Sequence, residues 1–230
     1  MNLAIVGYGK MGRLIEQLAP EYGFVVLQQL NSSNNAGATG ITAESFADVD
    51  VALDFSAASA VLPNVERLAA LGINTVVGAT GWNRQLEQVQ EIVRQTGIGL
   101  MWSPNYSIGV NIFIQLASEA SRRIARHGDY GAWAWEIHHS AKRDAPSGTL
   151  LKVVDEMKQA DPAREISISS NRAGAHPGTH EVGFDSGADT ITIRHTARSR
   201  EGFARGALQA ARWIVGKKGW FEFRDVVGEL

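Results

Sequence analysis

The sequence predicts an α/β chain: a doubly wound parallel sheet, plus a second α+β domain with a mixed or antiparallel sheet. Three observations predict it. An apolar run, NLAIV (2–6), leads into a glycine-rich turn and then a helical period. Strand-like and helix-like segments then alternate over the first 105 residues, the rhythm of a parallel sheet with helices on both faces. After Ser107 the rhythm gives way to one long helix and a run of strands, which calls for a different sheet.

Each element has its own signal. After NLAIV, the segment KMGRLIEQLA carries Met11, Leu14, Ile15 and Leu18 at helical spacing. FVVLQQL (24–30) and VDVALDF (49–55) read as strands, with the turn-rich NSSNNAGATG between them as loop. A helix is expected over Val61–Leu71, with Pro63 in its first turn. NTVVGAT (74–80) reads as a strand. Asn83 is the expected N-cap of a helix that buries Leu86, Val89 and Val93. IGLMW (98–102) is a strand stopped by Pro104.

VNIFIQLASEASRRIARHG (110–128) reads as a helix closed by Gly128. YGAWAWEIHH alternates with period two, with Trp133, Trp135 and Ile137 on one face and Ala134, Glu136 and His138 on the other. EISISSN (165–171), THEVGF (179–184) and DTITIRH (189–195) are further strands, and FARGALQAARWIV (203–215) is a last amphipathic helix.

Composition narrows the function classes. The 230 residues are 44% hydrophobic with a formal net charge of −2, so no bulk electrostatic pull toward nucleic acid or a membrane surface is expected. The absence of cysteine excludes disulfides, thiolate nucleophiles and Cys-ligated metals. No apolar run reaches the roughly 18 residues of a membrane span. The opening MNLAIVGYGKMG has no basic n-region and reads as a first strand, not a signal peptide. A cytoplasmic enzyme is the expectation.

GYGKMG, Gly7 to Gly12, fits G-x-G-x-x-G between a strand and a helix. Gly7 permits the tight turn, Gly9 lets a pyrophosphate approach the backbone, and Gly12 allows close helix–strand contact. The N–H groups of Lys10 and Met11 open the helix and point at the phosphates, with Tyr8 beside them. The sequence therefore predicts a Rossmann-type dinucleotide site. NAD-selective sites often place an acid at the end of the second strand. Here that end reads Asn31, Ser32, Ser33, and Lys10 can reach a 2′-phosphate. NADPH is the expected cofactor, with NADH also accepted. Ligands sit at the carboxyl ends of parallel strands, so Asp54-Phe55-Ser56, Gly78-Ala79-Thr80 and Ser103-Pro104-Asn105-Tyr106 are the other candidate cofactor contacts.

The second site candidate is EIHHSAKRDAPSGT, Glu136 to Thr149. Glu136 and His138 share a strand face, and the carboxylate favours the imidazolium. His139 points the other way unless the strand ends there. Ser147 is an N-cap after Pro146, so Ser147, Gly148 and Thr149 form a helix N-terminus able to seat a carboxylate. Lys142 adds a mobile positive charge. Opposite a reduced nicotinamide, such a pocket suits reduction of a C=N or C=C conjugated to a carboxylate, with His138 or Lys142 supplying the proton. No metal is expected, since His176 and His180 are split by Pro177 and Gly178 and make no helical ligand pair with His195.

These blocks resemble one family. E-x-H-H-x-x-K-x-D-A-P-S-G-T is the signature of the dihydrodipicolinate reductases (4-hydroxy-tetrahydrodipicolinate reductases), and every fixed position is present. GYGKMG, DFS, GATGW, SPNYSIGVN, RAGAHPGTHEV and RHTARSREGFARGAL are similar to family blocks in the family's order. The resemblance implies reduction of the cyclic product of pyruvate and aspartate semialdehyde condensation, on the route to diaminopimelate and lysine.

It also implies roles. His138 is the acid/base group and Lys142 the proton donor or charge stabiliser. His139, Ser147, Gly148 and Thr149 meet a small dicarboxylate substrate. Gly7 to Gly12, Gly78 to Thr80 and Ser103 to Tyr106 hold the cofactor. Residues 1–106 and 201–230 form the dinucleotide-binding domain. Residues 107–200 form the substrate-binding and oligomerisation domain, assembled as a homotetramer through its sheet. The chain departs from the family pattern in a shorter link between the glycine loop and DFS, in Ala79 for threonine and in Trp82 for phenylalanine. A reductase of another cyclic imino acid and a non-catalytic NADP(H) sensor are the alternatives.

Overall fold

The computed structural model describes all 230 residues, and the chain divides into two units, 1–108 with 201–230, and 109–200. The first is organised by central strands apolar enough to be buried on both faces, with half-exposed strands at the two edges. β1 (Asn2–Val6), β2 (Val25–Leu30), β3 (Val51–Asp54), β4 (Asn74–Val77), β5 (Gly99–Trp102) and β10 (Gly219–Glu222) form one all-parallel sheet in the order β10-β5-β4-β3-β1-β2. The chain leaves β1 for β2 on one side and returns to β3 on the other. The switch point where ligands bind in such sheets therefore lies between β1 and β3.

Helices α1 (Lys10–Leu18) and α6 (Glu201–Ile214) pack with Leu3, Ile5, Leu53 and Met101 in one core layer. Helices α2 (Ala58–Ala70) and α3 (Leu86–Thr96) join Val77, Leu100 and Trp82 in another. β10 carries no strong strand pattern of its own. It adds to the β5 edge in parallel register, from Gly219↔Gly99 to Glu222↔Trp102.

The second unit is a mixed sheet under two helices. β6 (Gly131–His138), β7 (Ile166–Arg172), β8 (Thr179–Asp185) and β9 (Thr190–Thr196) lie in the order β7-β6-β8-β9. β6 pairs with β7 in parallel; the other pairs are antiparallel. One sheet face presents Ala132, Ala134, Val182 and Phe184 to Phe113 and Ala117 of α4 (Ile108–Ile124) and to Leu150, Val153 and Met157 of α5 (Gly148–Ala160). The opposite face carries Trp133, Trp135 and Ile137, which stay half-exposed.

Three helix ends differ from the sequence expectation. Pro63 lies at the sixth residue of α2, past its first turn, because the helix begins at Ala58. Asn83 caps nothing; it opens a single 3-10 turn, and α3 starts at Leu86. α4 ends at Ile124, short of Gly128. The Ile124 carbonyl accepts from the His127 N–H at 2.8 Å and from Arg164 Nη2 at 2.9 Å, so a distant guanidinium closes the helix instead of a glycine.

Candidate functional site

In the first unit the glycine loop is built by its own hydrogen bonds. The N–H groups of Gly7 and Tyr8 both donate to the Leu30 carbonyl at 2.8 Å, and the Gly9 N–H donates to the Gly7 carbonyl at 2.8 Å. The loop N–H groups are thus consumed. What remains for an anion is the first turn of α1, Lys10 to Gly12, which has no side-chain cap and whose N–H groups have no partner within the helix.

The glycines differ in why they are needed. Gly7 has φ +91°, and a Cβ there would overlap the Phe55 and Ser56 backbone at the end of β3. Gly12 packs on Ile5, where a Cβ would lie 3.1 Å from Cγ2. At Gly9 a Cβ would meet nothing within 4 Å. That open space beside the helix N-terminus fits a dinucleotide pyrophosphate.

The neighbouring strand ends frame this loop. Phe55 lies on Gly78, where any side chain would strike its ring. Asp54 is fully buried; it accepts from the Ser56 N–H at 2.8 Å and from Asn64 Nδ2 at 3.0 Å. Burial pushes its carboxyl up, against the opposing donations of Ser56 and Asn64. Asn64 in turn accepts from Asn35 Nδ2 at 3.0 Å, which ties down the short link between β2 and β3. At the end of β2, Asn31 Oδ1 accepts from the Ser33 N–H and hydroxyl at 2.8 and 2.6 Å. Ser32 and Lys10 are exposed.

Two candidate cofactor contacts are spent elsewhere. Tyr106 is 2% exposed; its hydroxyl donates to the carbonyls of Val77 and Met101 at 3.0 and 3.1 Å, and its ring packs on Phe223. It is a core residue, and burial holds its phenol well above the ordinary value. The Ala79 N–H donates to the Asp54 carbonyl at 3.2 Å, and the Ala79 carbonyl accepts from Trp82 Nε1 at 2.9 Å. Thr80 stays exposed and Asn105 half-buried; the Asn105 N–H donates to Ser103 Oγ at 3.1 Å.

In the second unit the alternation of β6 decides which side chains meet. Glu136 and His138 point inward, beside Arg172 of β7 and His180 of β8. Glu136 is fully buried and collects four donors: the Ser147 N–H (2.8 Å), Ser170 Oγ (3.0 Å) and Arg172 Nη2 (2.9 Å) on Oε1, and the Ser147 hydroxyl on Oε2. His138 Nδ1 lies 3.5 Å and His180 Nε2 3.4 Å from that same Oε2. Burial works to raise the Glu136 carboxyl, but the donations of Ser147, Arg172 and Ser170 outweigh it and hold it below the usual range.

His138 corrects an expectation. A carboxylate neighbour favours the imidazolium, yet burial, seconded by the charges of Lys142 and Arg172, outweighs Glu136 and lowers the His138 pKa. The neutral ring is the resting form at neutral pH. Lys142 is not a mobile charge either, because its Nζ sits 2.8 Å from Asp144 Oδ1. Asp144 is fixed in turn by its own carbonyl, which accepts from Arg172. β6 ends at His138, so His139 opens the turn, and its carbonyl accepts from the Lys142 N–H at 3.1 Å.

Ser147 is 2% exposed and caps α5 by accepting from the Leu150 N–H at 3.2 Å. It anchors the helix start rather than offering its hydroxyl to a substrate. Gly148 is exposed and Thr149 half-buried, and the Gly148 N–H already bonds the Asp144 carboxylate, which shows that this helix start accepts an anion.

Sequence reasoning passed over Arg172, Ser170 and His180 as partners of Glu136. The signal was present in the period-two pattern of β7 and β8, but the register that aligns Glu136 with Ser170 and His180 arises only from pairing. The donor atoms of Glu136, His138 and His180 lie within 4.8 Å of one another, a spacing a metal ion can bridge. The Arg172 guanidinium on Glu136 opposes a cation there, and four donors already satisfy the carboxylate. The chemistry of this set is that of an acid–imidazole cluster.

The comparisons with known proteins agree on one family. Residues 1–106 match the family described as dihydrodipicolinate reductase, N-terminus, and residues 109–227 match its C-terminus. The chain is 34% identical to a 4-hydroxy-tetrahydrodipicolinate reductase of Christiangramia forsetii, covering 100% of this chain and 99% of the relative. It is 36% identical to one of Methanosarcina mazei, over 78% of this chain and 73% of the relative. A dipicolinate-bound dihydrodipicolinate reductase from Paenisporosarcina sp. TG-14 has the same fold, with a TM-score of 0.81 and 21% identity over 100% of this chain and 99% of that one. With both parts of its length matched and its fold shared, the chain belongs to the dihydrodipicolinate reductase family.

Proposed function

We propose that His138 and Lys142 handle the proton of the family's reaction, and that His139, Gly148 and Thr149 hold a dicarboxylate substrate. The reaction itself follows from the family: the chain is an oxidoreductase that reduces 4-hydroxy-tetrahydrodipicolinate to tetrahydrodipicolinate with NAD(P)H, on the diaminopimelate route to lysine. Hydride and proton are taken up and water leaves, so the ring loses its hydroxyl.

The observation that carries the residue roles is the Glu136 carboxylate. It binds the N–H and hydroxyl of Ser147 and lies 3.5 Å from His138 Nδ1. One buried group thereby joins a proton-carrying ring to a helix N-terminus suited to an anion. When bound, the reduced nicotinamide supplies the hydride. The first turn of α1 binds the pyrophosphate through the Lys10, Met11 and Gly12 N–H groups, and Gly9 leaves it room. Lys142 Nζ, released from Asp144, stabilises negative charge that develops on the substrate. His138 Nε2 takes up a proton from solvent and passes it to the substrate, and the low basicity of the ring makes that proton easy to release.

Three finer readings belong with this one. NADPH is the preferred cofactor and NADH is accepted, because no carboxylate stands among Asn31, Ser32 and Ser33 to repel a 2′-phosphate, while Lys10 is free in solvent to meet it. The domain roles follow the units: 1–106 with 201–230 bind dinucleotide, and 107–200 bind substrate and assemble a homotetramer. The cysteine-free composition fits a cytoplasmic setting, and no helix is long and apolar enough to cross a membrane.

The test is NADPH absorbance with substrate generated from pyruvate and aspartate semialdehyde by the condensing enzyme. Consumption that needs both precursors, and that collapses in Lys142→Ala, supports the reading. Tight NADPH binding with no consumption would point instead to another cyclic imino acid or to a sensor. Parallel titrations with NADPH and NADH check the preference; far tighter NADH binding would overturn it.

A further inference from the structure

We propose that Glu136 is the positioning residue of His138: its Oε2 atom holds the Nδ1–H edge of the ring and so leaves Nε2 as the atom that takes up and hands on the catalytic proton. This rests on the reading of His138 as the acid/base group. The carboxylate is asymmetric. Oε1 is saturated by three donors, the Ser147 N–H, Ser170 Oγ and Arg172 Nη2. Oε2 accepts only from the Ser147 hydroxyl and faces two imidazoles, His138 at 3.5 Å and His180 at 3.4 Å. His138 Nδ1 is buried and has no hydrogen-bond partner, and Glu136 Oε2 is the carboxylate oxygen beside it. A distance of 3.5 Å is long for a hydrogen bond, but such bonds in a site without substrate tighten in the reacting complex.

The far edge of the ring is held as well. At Gly178, with φ +137°, a Cβ would lie 3.0 Å from His138 Nε2 and Cδ2. Only a glycine there leaves that edge unobstructed. His180 stands edge-on to His138, with ring centroids 5.0 Å apart. The charged and titratable groups facing His138 are therefore Glu136 on its own strand, Arg172 on β7, His180 on β8, and Lys142 and Asp144 in the following turn. Glu136 and Asp144 are the anions among them, and Glu136 is the buried one.

The asymmetry gives a sharp test in Glu136→Gln. Three donors require the amide oxygen at the Oε1 position, which leaves the NH₂ where Oε2 was. That NH₂ donates to His138 Nδ1 and forces the proton onto Nε2, the reverse tautomer. The expected result is a kcat lower by about 10²–10⁴, the range for losing a correctly oriented acid/base group, with a far smaller change in KM. The pH limb that belongs to His138 should move to lower pH, because the carboxylate that raises its pKa is gone. A merely structural Glu136 would change stability and KM without moving that limb.

Because Glu136→Gln can fail to fold, the second measurement uses the unaltered full chain. Long-range ¹H–¹⁵N spectra of histidine-labelled protein, with His138 assigned by its loss in His138→Asn, report the neutral tautomer directly. Nδ1–H supports the proposal, and Nε2–H overturns it. Near-normal turnover in His138→Asn would instead overturn the reading of His138 itself. An inactive His138→Asn beside a Glu136→Gln with unchanged kcat and pH profile would overturn only the positioning role.

Discussion

Ser147 donates its N–H to Glu136 Oε1 at 2.8 Å and its hydroxyl to Oε2, while the same hydroxyl oxygen accepts from the Leu150 N–H at 3.2 Å. One side chain therefore caps a helix and satisfies a buried carboxylate. Ser147→Ala removes the cap, which costs about 1 kcal/mol, and strips a donor from a buried anion, which costs about 1–3 kcal/mol. We expect a combined loss of about 2–4 kcal/mol in urea unfolding, together with a raised KM as the α5 start loosens. A variant as stable as the parent would show that Ser147 is not what holds the Glu136 cluster together.

Gly7 and Gly9 should separate folding from cofactor binding. A Cβ at Gly7 overlaps the backbone of Phe55 and Ser56, whereas at Gly9 it enters open space. Gly7→Ala is expected to lower the melting temperature. Gly9→Val should melt as the parent does and fail to bind NADPH, because the side chain fills the room a pyrophosphate needs. Unchanged NADPH affinity in Gly9→Val would remove the loop from the cofactor site.

Lys142 is tied to Asp144 at 2.8 Å across a partly exposed turn. Its loss should leave stability almost untouched, as an exposed pair contributes little. We expect Lys142→Ala to fold normally and to lose about 10²–10³ in kcat, the scale of one acid or one charge-stabilising donor. Turnover close to the parent's would take Lys142 out of the mechanism.

The sequence made most of this architecture legible because its signals are local. NLAIV, the G-x-G-x-x-G spacing and the alternation through Trp133–His138 each state a period or a turn that packing does not override. What escaped depends on contacts distant in the chain. β10 is recruited by the open edge of β5, and α4 stops where Arg164 reaches its carbonyls. Tyr106 looked like a cofactor contact at a strand end, but its hydroxyl finds the Val77 and Met101 carbonyls. The direction of the His138 shift departs from the sequence expectation for a related reason. Adjacency to Glu136 is visible in the alternation, whereas burial and the Arg172 charge come from the sheet.

If the proposed tetramer forms through the second sheet, its outer face is the surface that meets the partner. Trp133, Trp135 and Ile137 lie there half-exposed; Trp135 Nε1 donates to Asn171 Oδ1 at 2.6 Å, and the Arg194 guanidinium stands 5.9 Å from the Trp135 ring centroid. These contacts hold the Trp135 side chain in place on that face. Trp135→Glu should lower the sedimentation mass toward that of one chain while NADPH binding persists. An unchanged mass would move the interface elsewhere.

Acid should unfold the second unit through its histidines. Burial first, then the His138 charge, lowers the His180 pKa from 6.5 to about 4, against the pull of Glu136. Burial also lowers His195, and it lowers His138. Below the unfolded value of 6.5 the unfolded chain binds protons that the folded chain refuses, so stability rises with pH through this window. The contribution is complete above about 6.5 and is lost as pH falls toward about 4. For His180 it is on the order of 3 kcal/mol. Urea midpoints should therefore fall steadily from pH 7 to pH 4, and His180→Gln should flatten that slope even where its own stability is lower. A parent profile that stays level over this range would mean that the three rings take up protons in the folded state, and the neutral resting form assigned to His138 would fall with it.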